Sequence, residues 1–185
     1  ADGRRSLYDL RLRAFAVYLL TRQGEITTNM LASVQSQLQA NFPDSWKQDL
    51  SALYLASSYK MLKMDKQADT MLKPSWDQLN KAYSNAWWSQ NYLDPLVLDS
   101  TRLYLILRHF PEKAQDVPPQ ALENIVLSLK AERYTTLSSA MSILALKSYA
   151  DRGAMHYKDR NGLTITETGS EKEAKPELIS VLSGL

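Results

Sequence analysis

The chain reads as a mainly α protein made of stacked helical hairpins. Three observations predict this. In the stretch 134–150, Leu137, Ala140, Met141, Leu144 and Ala145 make one apolar stripe, and Ile143, Leu146 and Ala150 make another. A helix apolar nearly all round needs cover on several sides, so it belongs inside a multi-helix protein. Broadly apolar segments also alternate along the chain with amphipathic ones, as an inner and a solvent-facing outer layer require. Finally, Tyr18-Leu19-Leu20, Tyr54-Leu55-Ala56, Tyr104-Leu105-Ile106 and Leu144-Ala145-Leu146 take like positions in the apolar segments. Their spacing is too irregular for a strict tetratricopeptide-type repeat.

The first helix is predicted over 5–22, with Leu7, Leu10, Ala14, Val17 and Tyr18 at helical spacing and Gly24 ending it. Thr27 is placed to cap the second, with Ile26 stapling onto Leu31. This helix, to about Ala40, turns Leu31, Val34 and Leu38 inward and Gln35, Gln37 and Gln39 outward. After the turn Asn41-Phe42-Pro43-Asp44, the run Ser45-Trp46-Lys47-Gln48 matches a capping box for a third helix reaching about Met64. A shorter fourth helix starts at Asp65 and runs through Leu72, with Pro74 expected to end or kink it. Residues 75–91 then read as a long connection. Asp94-Pro95 opens a fifth helix that Pro111 closes, and Pro118-Pro119 opens a sixth with Leu122, Ile125, Val126 and Leu129 inward. The seventh is the stretch 134–150, capped by Thr135 or Thr136.

Beyond residue 151 the character changes. Asp159-Arg160-Asn161-Gly162 is a hairpin-type turn signal, and Leu163-Thr164-Ile165-Thr166 alternates like a half-buried strand. Two parts are therefore expected: a helical part over 1–154 and the β-like start of a further module over 155–185.

Composition narrows the function. At 185 residues the chain can bury a real core, and 44% hydrophobic with 23% charged residues is ordinary for a globular protein. A net charge of +2, with scattered basic residues, points to neither nucleic acid nor a membrane surface. There is no cysteine, which excludes disulfides, zinc–thiolate sites and thiol nucleophiles. The start lacks a Met and a targeting motif, and a helix is under way by residue 7, so a piece of something longer is expected.

No catalytic constellation emerges, and no cofactor or metal site is expected. His109 and His156 are the only histidines and sit at no ligand spacing; His109 is expected to face the carbonyls ending its helix. Asp94 reads as a cap, and Asp99 as lying on the outer side of its helix. Tyr134-Thr135-Thr136 reads as capping chemistry rather than a nucleophile. One feature could serve binding: Trp87, Trp88 and Tyr92, with Tyr83, could form an aromatic contact surface. The commoner role for such residues is to anchor a long loop onto helix ends.

Three segments carry a family resemblance. AFAVYLLTRQGEI (14–26), LVLDSTRLYLILRHFPE (96–112) and RYTTLSSAMSILALKSYAD (133–151) look like later helices of the thioester-containing domain of bacterial alpha-2-macroglobulins. The resemblance covers roughly residues 5–150, and the β-like tail is similar to the point where such proteins leave the helical domain. It implies an α/α toroid, of which this chain would supply about half, within a large non-enzymatic protease trap. It also implies a periplasmic parent anchored to the inner membrane by an N-terminal lipid. The partners it implies are the remainder of that polypeptide and, through it, attacking proteases, with no nucleic acid and no direct membrane contact. Family members carry a reactive thioester in a Cys-Leu-Glu-Gln motif. This chain has no cysteine, so no thioester residue transfers to any position, and the role implied is to help shield a bond located upstream. The alternative reading is a helical-hairpin scaffold that binds a peptide or protein domain through Trp87, Trp88 and Tyr92.

Overall fold

The computed structural model describes residues 6–79, 94–131 and 134–157. Among these lie seven α-helices: α1 (Leu7–Arg22), α2 (Thr28–Asn41), α3 (Leu50–Met61), α4 (Asp65–Leu79), α5 (Pro95–His109), α6 (Pro119–Lys130) and α7 (Thr136–Tyr157). Single 3-10 segments at Trp46–Gln48 and Pro111–Asp116 lead into α3 and follow α5. The odd-numbered helices pack in series, α1 on α3, α3 on α5 and α5 on α7. Among the even-numbered ones, α2 lies against α1 and α3, α4 against α3 and α5, and α6 against α5. Stacked hairpins in two layers are thus what the chain forms, and the core centres on α3 and α5. Every residue of α3 from Leu50 to Tyr59 is buried, and the large α5 side chains Leu103, Ile106 and Leu107 are fully enclosed.

Helix ends follow local chemistry closely. Ser6 and Asp9 form a reciprocal capping box at the start of α1, with Asp9 N–H donating to Ser6 Oγ at 3.1 Å and Ser6 N–H to Asp9 Oδ2 at 3.0 Å. Gly24, at φ 94°, ends α1: its N–H donates to the Thr21 carbonyl, and the Glu25 N–H to that of Leu20. The same closure ends α3 with a lysine where glycine is usual. Lys63 sits at φ 62°, its N–H on the Lys60 carbonyl and the Met64 N–H on that of Tyr59. Thr135 caps α7: the Ser138 N–H donates to Thr135 Oγ1 at 3.2 Å, and the Thr135 N–H to Ser138 Oγ at 2.7 Å.

Several expectations are corrected. Thr27 stands at the N-cap of α2 but makes no side-chain cap; its hydroxyl instead bonds the Thr21 hydroxyl at 2.6 Å, tying α1 to α2. Ile26 is 86% exposed and does not staple onto Leu31. The cap of α3 is Asp49 rather than Ser45, because the Asp49 carboxylate takes both the Ser51 N–H and an ion pair from α1. Helix α3 closes at Met61, before the predicted Met64. Pro74 does not end α4, which continues to Leu79. The ring costs the hydrogen bond to the Thr70 carbonyl, but Ser75 and Leu79 extend the buried line of Ala68 and Leu72. The predicted connection therefore begins later than residue 75.

In α6, Ile125 and Ala121 face the core and Leu122 and Leu129 border it, but Val126 is exposed. Helix α7 departs most. It presents Ser138, Ser142 and Ala145 to α5, with the Ser142 hydroxyl meeting Ser100 at 2.9 Å. Leu137, Ala140, Ile143 and Leu144 lie on the other side in solvent, Ile143 at 66%. It also runs to Tyr157, into the first residues of the expected β-like segment; that segment from 158 onward lies outside the described residues.

Candidate functional site

The inner helices are tied together at both ends. Near the start of α1, the buried Arg11 donates through Nε to Asp49 Oδ1 and Oδ2 at 3.0 and 2.9 Å and pairs through Nη2 with the same carboxylate. Asp49 also accepts from the Ser51 hydroxyl. On α5, the buried Arg102 donates to the Gln48 carbonyl at 2.9 Å and pairs with Asp99 at 3.2 Å. Burial pushes the Asp99 carboxyl upward, its Arg102 partner opposing, and burial pushes Arg102 downward. Asp99 is thus half-buried and paired, not on the outer side of its helix as expected. Arg102 Nε, Ser57 Oγ and Ser75 Oγ find no hydrogen-bond partner among the described residues.

Toward the other end, Tyr18 of α1 reaches past Tyr54 of α3 to His109 in the last turn of α5. Its hydroxyl lies 3.0 Å from His109 Nε2, with the two rings edge-on at 5.5 Å. Phe15, Tyr18 and Tyr54 pack together with centroids 5.2 to 6.3 Å apart. Arg11 of α1 and Arg102 in the middle of α5 both reach the start of α3. Lys60 in the last turn of α3 lies over Phe110 at the end of α5, and the late turns of α1 and α5 meet, so the three run in the same direction. Burial raises Tyr18, only partly opposed by Arg22, and raises Tyr54 to about 12. Both phenols keep their protons. His109 is pushed down to about 4, first by burial and then by the Arg108 and Arg22 guanidinium groups. A neutral imidazole this far from neutrality is a poor proton shuttle. Its partner is Tyr18, not the carbonyls that its position at a helix end suggested.

Two arginines flank this contact in the same way. The Arg22 guanidinium lies 5.7 Å from the centre of the Tyr18 ring, and that of Arg108 5.8 Å from the Tyr104 ring. Arg108 Nη1 also donates to the Tyr104 hydroxyl at 3.1 Å. Each pair is a Tyr-x-x-x-Arg, YLLTR at 18–22 and YLILR at 104–108. The recurring tyrosines were legible in the sequence. Their arginines, one turn on, were the missed part of the same signal.

Trp87, Trp88 and Tyr92 lie outside the described residues, as does Tyr83, and the side chain of His156 is likewise not described. The neighbouring Trp76 is in α4, half-buried against the core, with Lys113 Nζ 5.7 Å above its ring. Asp94 caps α5 as expected, accepting from the Leu96 N–H at 2.9 Å. No cluster of His, Asp and Glu suited to a metal occurs among the described residues, and no helix there is long and apolar enough to cross a membrane.

The arrangement defines a class first: a two-layered array of helical hairpins with buried ionic ties. No family model matches the chain, and no solved structure matches it. Over 179 residues, 97% of the chain, it is 65% identical to an alpha-2-macroglobulin homolog of Yersinia pestis. It is 41% identical over 167 residues to an alpha-2-macroglobulin of Pasteurella multocida, and 35% over 176 residues to one of Rickettsia conorii. The chain spans 9% of the length of each of these relatives. It belongs with the bacterial alpha-2-macroglobulins, as the counterpart of one segment of them.

Proposed function

We propose that this chain is a structural segment of the helical domain of a bacterial protease trap, and that its work is architectural rather than enzymatic. The observation that carries this is the 65% identity over nearly the whole chain to an alpha-2-macroglobulin homolog. In this reading the helices continue a ring of hairpins begun elsewhere in the parent. Two faces support it. On α1, Tyr8, Leu12, Phe15 and Leu19 form an exposed stripe at helical spacing. On α7, Leu137, Ile143 and Leu144 form another. They lie on the first and last members of the odd-numbered series, where further hairpins would pack. Such packing excludes water, and a reactive acyl bond held upstream survives only where water is kept away.

In the same reading the parent is periplasmic, held to the inner membrane by an N-terminal lipid, and meets attacking proteases there. This segment itself contacts the rest of the parent polypeptide. Because it has no cysteine, the bond that captures a protease is carried by other residues of the parent. Incubation of the 185-residue chain with an active serine protease should yield no adduct that survives denaturing electrophoresis. A longer form carrying an upstream Cys-x-x-Gln should yield one. An adduct on the short chain overturns this division of labour.

A further inference from the structure

We propose that Tyr18, Arg22, Tyr104, Arg108 and His109 form a binding site for a carboxylate presented by a polypeptide segment. This does not depend on the protease-trap reading. Arg22 and Arg108 each occupy the last turn of a helix, where a cation complements the carbonyl end. That accounts for each arginine alone, but not for what they share.

Each guanidinium lies over a tyrosine four residues earlier, on helices far apart in sequence. A cation–π contact of this kind restrains the guanidinium, and with one N–H of Arg108 on the Tyr104 hydroxyl it leaves others for a second partner. Their charge is also unmatched. Arg11, Lys60, Arg102 and Lys147 all pair with carboxylates, whereas neither Arg22 nor Arg108 pairs with one among the described residues. The two pairs meet through one contact, since the Tyr18 hydroxyl beneath Arg22 lies 3.0 Å from Nε2 of His109, the residue next to Arg108. Two guanidinium groups flanking a phenol–imidazole contact suit an oxyanion, and a carboxylate matches their planar forks. Beside them, the partly exposed Phe15 and Leu19 supply apolar surface. That rim fits a carboxylate with carbon around it, as a glutamate or aspartate in a peptide has.

The test is a side-chain NMR titration of the isotopically labelled 185-residue chain with a glutamate-rich peptide, with acetate and with inorganic phosphate. The peptide should shift the Arg22 and Arg108 Nε signals and the His109 ring saturably, and acetate should move the same signals more weakly. The His109 titration midpoint should rise with peptide bound, because the anion offsets the two guanidinium charges. Arg22→Gln or Arg108→Gln should weaken binding about tenfold, and the double variant should abolish it. Both side chains are exposed, so unchanged circular dichroism will verify that the variants fold. Peptide binding unaffected by the double variant overturns the site. Saturation by phosphate alone overturns the carboxylate, and acetate binding as tightly as the peptide overturns the polypeptide. Absence of any saturable shift overturns all of it.

Discussion

Asp49 illustrates how one side chain serves two levels of structure. It caps α3 and at the same time neutralises Arg11 of α1, both groups being almost fully buried. Asp49→Asn keeps an oxygen for the cap but leaves the guanidinium uncompensated in the interior. A loss of about 3 kcal/mol in chemical denaturation is expected, the usual cost of breaking one side of a buried pair. His109 adds a pH dependence of known sign. Its folded value of about 4 lies below the ordinary imidazole range, so folding favours the neutral ring. This contribution is complete above about pH 6.5 and is lost as pH falls toward 4, amounting to at most about 3 kcal/mol. Denaturation midpoints measured between pH 7 and 4.5 should fall in the native chain. The part of that fall due to His109 should vanish in His109→Gln, which keeps a partner for Tyr18 without an ionisable ring.

Among the elements, helix ends show local rules holding and yielding. Gly24 and Lys63 close α1 and α3 by the same pair of backbone hydrogen bonds, one with the residue suited to positive φ and one without. Lys63→Gly removes the Cβ penalty of the left-handed conformation and should stabilise the chain by about 0.5–1 kcal/mol, read as a higher melting temperature. The capping chemistry of α5 and α7 was plain in Asp94-Pro95 and Thr135 because it acts over two or three residues. Ser45 offered an equally good local pattern and lost the third helix to Asp49. That choice depends on Arg11, thirty-eight positions away, whose charge no local pattern reports. Pro74 misled for a similar reason: local sterics favour a break, while the burial of Ser75 and Leu79 favours continuation.

For the whole molecule, the open question is the cover over its two end helices. With Leu137 57% and Ile143 66% exposed, Ile143→Glu should change the melting temperature of the 185-residue chain very little, within about 0.5 kcal/mol of stability. If further hairpins of the parent pack there, the same change should destabilise a longer polypeptide by several times that amount. Equal tolerance in both would count against the ring.

The sequence by itself determined the helix count among the described residues, the two-layer alternation, the caps of α5 and α7, the glycine closure of α1 and the kinship with bacterial alpha-2-macroglobulins. These rest on periodicity, short-range capping chemistry and quoted segments, all carried by neighbouring residues. It also marked the recurring tyrosines, though not their arginines. Tertiary structure alone decided which face of α7 is inside. Of the predicted stripe Leu137, Ala140, Met141, Leu144 and Ala145 only Ala145 is fully buried, and Ser138 and Ser142 take the core beside it. Small side chains let α7 approach α5 closely enough for Ser142 to meet Ser100, and close approach is a property of two surfaces together. Tertiary structure likewise joined Tyr18 to His109 and Arg11 to Asp49, because such pairs are made by the stacking of helices rather than by any spacing along one.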